Sequence, residues 1–429
     1  MAVLTPAPGG AAVYTPSPSP AAPANYRPAF AAVTVLFFMW GFLTCLNDIL
    51  VPHLRGVFEL DYLRAALVQF TFFGAYFLMA LPAGWVIRRL AYKGAMVAGL
   101  VTAGVGALLF YPAAGAPSYG LFLLALFVLA SGITVLQVAA NPYVAVLGPA
   151  ATASSRLTLT QAFNSLGTTV APLFGGVLIL QAVERAKSIP GEAGKLAEAQ
   201  SVQLPYLGLA GALFLLAIAM AAFRLPRIAE AESGPGSLVP DEPLGRAWHR
   251  RHLALGAVAI FLYVGAEVAI GSFLVNFLGL PRVAGLTEAT AARYVSFYWG
   301  GAMVGRFIGS ALLQRVQPGK LLAAFAVGSA TLTAIAAVSS GPVAMWAVIA
   351  VGLCNSIMFP TIFTLAIDRL GHLTGEGSSI LVMSIVGGAL IPVIQGALAD
   401  RIGLQPAFLL PAVCYLYIVY YGLRGLRHA

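Results

Sequence analysis

Apolar residues fall along this chain in stretches of about 20, separated by short polar connectors. A helix of that length rises about 30 Å, the thickness of a bilayer's hydrocarbon layer. Twelve such spans are predicted, running approximately Phe30 to Val51, Ala65 to Ile87, Ala95 to Pro112, Tyr119 to Ala140, Leu157 to Leu180, Leu204 to Phe223, His252 to Leu278, Tyr294 to Leu313, Leu321 to Val338, Val343 to Ile367, Ser378 to Ala399 and Pro406 to Leu423. The alternation of apolar and polar residues that marks a membrane β-barrel is absent. The pattern therefore predicts an all-α membrane protein.

Composition sharpens this reading. The chain has 429 residues, 60% hydrophobic and 9% charged, with a mean hydropathy of +0.89, whereas soluble domains carry about 25% charged residues. A soluble enzyme is excluded on that ground, and no phosphate-cradling loop or dinucleotide fingerprint competes. The net charge of +9 sits in connectors beside apolar spans rather than in one patch, so membrane topology explains it and no nucleic-acid partner is expected. Cys45, Cys354 and Cys414 lie in apolar spans as buried filler, and the five histidines lack metal-ligand spacing.

The connectors set the orientation. With the amino terminus inside, the cytoplasmic segments hold fifteen Lys and Arg and the outer segments eight, with Arg306 inside a span, so both termini are expected in the cytoplasm. Residues 1–28 hold seven prolines and one charge, Arg27, and are expected to form a disordered cytoplasmic tail. Residues 224–251 form the longest polar connector and separate a six-span half, 29–223, from a second, 252–425.

The halves repeat one another. Gly167, Pro172 and Gly176 recur as Gly387, Pro392 and Gly396 at an offset of 220. Pro142 matches Pro360 at 218, and five residues before each proline stands an amide, Gln137 and Asn355. Asp48 and Glu267 lie 219 apart. An even number of spans per half makes the halves parallel, related by an axis along the membrane normal, as in many secondary carriers.

Charge inside a bilayer is costly, about 2.5 kcal/mol or more for a mid-helix Asp, so Asp48, Glu267 and Arg306 are candidates for function. For Arg306, snorkelling or a structural gate pair is the expected role. Amides form a second set: Asn47, Gln137, Asn141, Gln161, Asn164, Asn276, Asn355 and Gln395. A buried amide bridges helices or faces a wet cavity, and this many suggests a cavity for a neutral, hydroxylated ligand. A sugar also needs aromatic faces, for which Trp40, Phe297, Tyr298 and Trp299 are candidates. The expected sugar-binding set is Gln161, Asn164, Glu267, Asn276, Asn355, Gln137, Asn141 and Trp299.

The segments FFMWGFLTCLNDILVPHL, LQVAANPYVAVLG, RLTLTQAFNSLGTTVAPLFGG and FPTIFTLAI resemble the fucose-galactose-glucose symporter family of the major facilitator superfamily, over about residues 29 to 425. SLGTTVAP, YVGAEV and the run Tyr298 to Arg306 are most similar to its bacterial glucose/galactose transporters. The resemblance implies the major facilitator superfamily fold, with 12 transmembrane helices in two six-helix halves, in a bacterial inner membrane. Its fucose permease branch carries a proton-linked Asp matching Asp48, and a Glu where this chain has Gln137. Gln137 cannot titrate, so Asp48, Asn47 and Gln137 are expected to handle the coupling ion, with Asp48 as the metal ligand if that ion is sodium.

The expected function is uptake of a neutral hexose, glucose or galactose, coupled to Na+ or H+, by a monomer that alternates access and needs no cofactor. An uncoupled facilitator, or a carrier of N-acetylglucosamine or L-fucose, is the alternative. A drug exporter would want a greasier or more charged cavity.

Overall fold

The computed structural model describes residues 26–58, 62–175, 189, 191–226 and 247–425, and the side chains at 46–57, 62–66, 69, 173–175, 192, 195 and 289 lie outside that description. The described residues form helices and turns, with no strand among them. In chain order the helices are α1 (Arg27–Phe58), α2 (Tyr62–Gly115), α3 (Tyr119–Val146), α4 (Ala153–Gly175), α5 (Glu192–Gln200), α6 (Gln203–Ala222), α7 (Arg251–Gly279), α8 (Glu288–Leu312), α9 (Pro318–Val338), α10 (Gly341–Asn355), α11 (Met358–Ala366), α12 (Thr374–Met383), α13 (Gly387–Ile402), α14 (Leu404–Ala407) and α15 (Leu409–Arg424). Helix α1 takes in Arg27 and Pro28, which the sequence assigns to a tail; the rest of that tail and most of the 224–251 linker lie outside the described residues.

Among the described residues nine stretches are long and apolar enough to cross a membrane. One of them, Phe70–Gly115, has 46 residues and as a straight helix would reach about 69 Å, but Ala91 breaks it with φ 57 and ψ 177. Two long helices, α4 and α8, are not among these nine, and they pack against each other.

The packing falls into two groups. In one, α1 lies on α4, and α2 on α3 and α6; in the other, α7 lies on α13 and α15, and α10 on α8 and α9. The groups meet where α4 faces α8 and α11, and where α12 faces α2 and α3. Their polar joints lie toward the end of the bundle that carries Arg88, Arg156 and Arg315. There Ser155 Oγ donates to Ser310 O at 2.7 Å while Ser310 Oγ donates to Ser155 O at 3.1 Å. Ser154 and Thr364 share a hydroxyl bond of 2.6 Å. The contacts continue to mid-helix, where Thr169 Oγ1 reaches Met303 Sδ at 3.6 Å.

The sequence repeat has a steric cause. A Cβ on Gly167 would overlap the carbonyl of Phe38, and one on Gly387 would overlap the carbonyl of Phe261. Each glycine is thus the point where the backbone of α4 or α13 crosses that of α1 or α7.

The repeated prolines also have a cause in hydrogen bonding. A proline offers no N–H, so the carbonyl four residues earlier loses its helical partner and needs another. Pro142 frees Val138 O, which accepts from Ser378 Oγ on α12 at 2.8 Å. Pro360 frees Ser356 O, which accepts from Arg306 Nε on α8 at 3.3 Å. The span expected as one helix from Val343 to Ile367 accordingly divides into α10 and α11 on either side of Ser356. The next span divides as well: a tight turn at Ser384–Val386 separates α12 from α13.

Candidate functional site

Polar groups gather at mid-helix in both groups. On α7, Glu267 is half-buried, and Tyr263, one turn earlier, donates to its Oε1 at 2.7 Å. The same hydroxyl lies 3.1 Å from the carbonyl of Asn355. The Asn355 side chain is fully buried and bonded at both ends: Nδ2 donates to Tyr298 Oη at 3.0 Å and Oδ1 accepts from Ser329 at 3.0 Å. Glu267 is thereby held on a frame that spans α7, α8, α9 and α10.

The first group builds a smaller version. Gln137 on α3 is 7% exposed and donates from Nε2 to Tyr76 Oη on α2 at 2.6 Å, which leaves its Oε1 for another partner. Asn141, one turn on, is fully buried and neither of its amide atoms meets a partner among the described residues; Gln395 on α13 is in the same condition. An unpaired buried polar group costs about 1–3 kcal/mol, which a ligand or a rearranged state would recover.

Gln161 and Asn164 share one face of α4. Asn164 Nδ2 donates to Phe37 O on α1 at 2.9 Å, tying the two helices where they cross. Gln161 is 5% exposed, and its carbonyl accepts from Arg306 Nη1 at 3.3 Å. The same nitrogen bonds Ser165 Oγ. Arg306 therefore does not snorkel toward water. It bridges the two groups, with α4 on one side and the freed carbonyl of Ser356 on the other.

Of the aromatic candidates, Trp299 is 43% exposed, and a Cβ on Gly271, one turn past Glu267, would lie 3.2 Å from its ring. Tyr298 and Trp40 are buried in packing, Trp40 with its ring centroid 4.1 Å from that of Phe37. Phe297 is 58% exposed and meets Trp346 edge-on. Asn276 is exposed near the end of α7, two turns from Glu267. Asn47 and Asp48 ride on α1, but their side chains are outside the described residues, so of the expected ion-handling trio only Gln137 is placed. Among the described residues no cluster of three or more His, Cys, Asp or Glu could hold a metal.

Sequence reasoning missed Tyr76, Tyr263, Ser165 and Ser329. A tyrosine in an apolar span reads as packing, and a lone serine as a helix bond to its own backbone. Tyr263 carried one signal, its position four residues before an acid, where helix neighbours meet.

The whole chain has known relatives. It is 57% identical to a protein named glucose/galactose transporter from Brucella abortus biovar 1 over 401 residues, 94% of this chain and 95% of that one. It is 37% identical to the L-fucose-proton symporter of Escherichia coli K12 over 409 residues, 92% of each chain. A crystal structure of the transporter FucP in the outward conformation matches with a TM-score of 0.85 and 35% identity, covering 92% of this chain and 98% of that one. Residues 29–386 match the model of the Major Facilitator Superfamily. The arrangement and these relatives agree: this chain belongs to the major facilitator superfamily, and it is a multi-pass membrane transporter.

Proposed function

We infer that this protein takes up a neutral hexose, glucose or galactose, by symport with a cation across a bacterial inner membrane. One observation carries the reading: Glu267 is held on a polar frame in one helix group while Arg306 reaches across from that group to Gln161 and Ser165 of α4, in a chain 57% identical along 94% of its length to a glucose/galactose transporter. Such a set offers bidentate partners to sugar hydroxyls, and Trp299 beside Gly271 offers a face to the C–H side of the ring. Asn355, whose two polar atoms are taken by Tyr298 and Ser329, serves by holding the frame of Glu267. Gln137 and Asn141 close the site from α3.

Twelve crossings fit this reading. The helix broken at Ala91 supplies two, α4 and α8 line the site and so are less apolar than lipid-facing spans, and α10 with α11 and α12 with α13 make one each. Residues 29–223 and 252–425 are the two halves, working as a monomer. The basic end is cytoplasmic, with both termini there, and the hydroxyl joints at Ser155 and Ser310 close that side in this state. Asp48, with Asn47 and Gln137, handles the coupling ion, H+ or Na+.

Counterflow in proteoliposomes tests the substrate. Labelled glucose should enter against preloaded glucose and be displaced by glucose and galactose in preference to L-fucose and N-acetylglucosamine. Displacement by L-fucose alone would overturn the hexose assignment.

A further inference from the structure

We propose that Arg306 is the positioning residue that links the sugar site to the inner gate, exchanging its α4 partners for the carboxylate of Glu267 when the cytoplasmic side opens. The proposal rests on the transporter reading above and deepens it.

Three observations carry it. In this state the guanidinium crosses between the halves to the Gln161 carbonyl at 3.3 Å and to Ser165 Oγ, while its Nε holds the Ser356 carbonyl at 3.3 Å. Every one of those partners is a neutral oxygen, and among the described residues no carboxylate lies within ion-pair distance of Arg306. A cation inside a membrane span is expensive without a counter-charge. Yet a short chain of bonds leads from it to Glu267: the Ser356 carbonyl it holds adjoins Asn355, whose carbonyl lies 3.1 Å from the Tyr263 hydroxyl, and that hydroxyl donates to Glu267 at 2.7 Å.

The second observation is which partners are fixed. Ser356 O is free because of Pro360 and belongs to the same half as Arg306, so it stays when the halves rock. Gln161 O and Ser165 Oγ belong to the other half and leave. The third is what remains after they go. Arg306 keeps Ser356 and needs a new acceptor, and the Tyr263 hydroxyl, already 3.1 Å from the Asn355 carbonyl, can turn there and release an oxygen of Glu267. Arg306 and Glu267 therefore form an element with two arrangements, one for each state of the gate, and anything that occupies Glu267 biases the choice.

The test reads gate opening without any sugar, so its failure is distinct from failure of the hexose assignment. Ser155 is 5% exposed at the closed gate. A Ser155→Cys reporter, in a chain whose Cys45, Cys354 and Cys414 are replaced by Ala, is labelled in inside-out vesicles with a membrane-impermeant maleimide. Arg306→Gln should raise the labelling rate roughly fivefold or more, and Glu267→Gln should lower it by a similar factor, within the usual range of coupling between sites. The double mutant should label like Arg306→Gln, because Glu267 acts through Arg306. Ser165→Ala, which removes only one bond on α4, should raise the rate less than Arg306→Gln and serves as the reading should that variant fail to fold. An unchanged rate in both Arg306→Gln and Ser165→Ala, or a Glu267→Gln change in the same direction as theirs, would overturn the proposal.

Discussion

Gln137 donates its amide hydrogen to the hydroxyl of Tyr76 at 2.6 Å. The same bond is made in the other half, where Asn355 donates to Tyr298 at 3.0 Å. The two amides are 218 residues apart and the two tyrosines 222, so the repeat preserves a side-chain bond as well as a backbone path. Each amide precedes by five residues a proline that frees a carbonyl, and each freed carbonyl is bonded from another helix. The spans that carry these prolines are thus pinned twice, by the amide and by the carbonyl.

The Asn355 to Tyr298 bond should be measurable as a coupling. Asn355→Leu leaves the hydroxyls of Tyr298 and Ser329 unpaired in the interior, at about 1–3 kcal/mol. Tyr298→Phe leaves the Asn355 amide unpaired at a similar cost. The double mutant should cost less than the sum by about 0.5 kcal/mol or more. Thermal unfolding of the detergent-solubilised protein checks this, and strict additivity would mean that the two side chains do not interact.

The helix crossings should be intolerant of a single methyl group. Gly167→Ala and Gly387→Ala each place a Cβ on a backbone carbonyl, which cannot move aside as a side chain could. Folded, monodisperse protein should be lost in both. Gly300→Ala, on α8 with open space around its Cα, should be neutral or stabilising by about 1 kcal/mol through helix propensity. Size-exclusion profiles of the three variants decide the matter, and a well-behaved Gly387→Ala would contradict the crossing.

Much of this was legible in the sequence, for reasons that are now physical. The matched glycines and prolines showed because close crossings and freed carbonyls restrict residue identity strongly. Apolar stretches showed the membrane-spanning character, and nine stretches of the described residues are long and apolar enough to cross; α8 is not among them and carries Arg306 where it packs on α4. The bridge was only half readable: Arg306 sits among small residues near a span end, which suggests either snorkelling or a structural gate pair, and its partners on α4 are a backbone carbonyl and a serine hydroxyl, which carry no sequence signal to choose between them. The frame around Glu267 was hidden for the same reason, since Tyr263, Tyr298 and Ser329 look like packing until the helices are assembled.

Glu267 and the α4 amides should separate binding from coupling. Glu267→Gln loses charge-assisted bonds to hydroxyls, which are roughly twice as strong as neutral ones, so sugar affinity should fall while ion dependence stays. Gln161→Ala and Asn164→Ala each lose neutral bonds of about 0.5–1.5 kcal/mol, a reduction in affinity of roughly two- to tenfold. Binding titrations and accumulation assays on the same preparations test this. Wild-type affinity in all three would leave these residues as packing groups.

Asp48 should be needed for coupling and dispensable for exchange. A charge on α1 must be neutralised before the carrier returns through the membrane cheaply. Asp48→Asn should therefore keep sugar-for-sugar exchange and lose uphill accumulation. Full accumulation by this variant would remove Asp48 from the ion path.

Accumulation of labelled glucose by proteoliposomes under an imposed gradient tests coupled hexose uptake most directly. With an inward H+ or Na+ gradient the internal concentration should rise above the external one, and an ionophore that dissipates that gradient should return it to equality. Glucose that equilibrates without ever exceeding the external level, under both gradients, would contradict the symport account and leave an uncoupled facilitator.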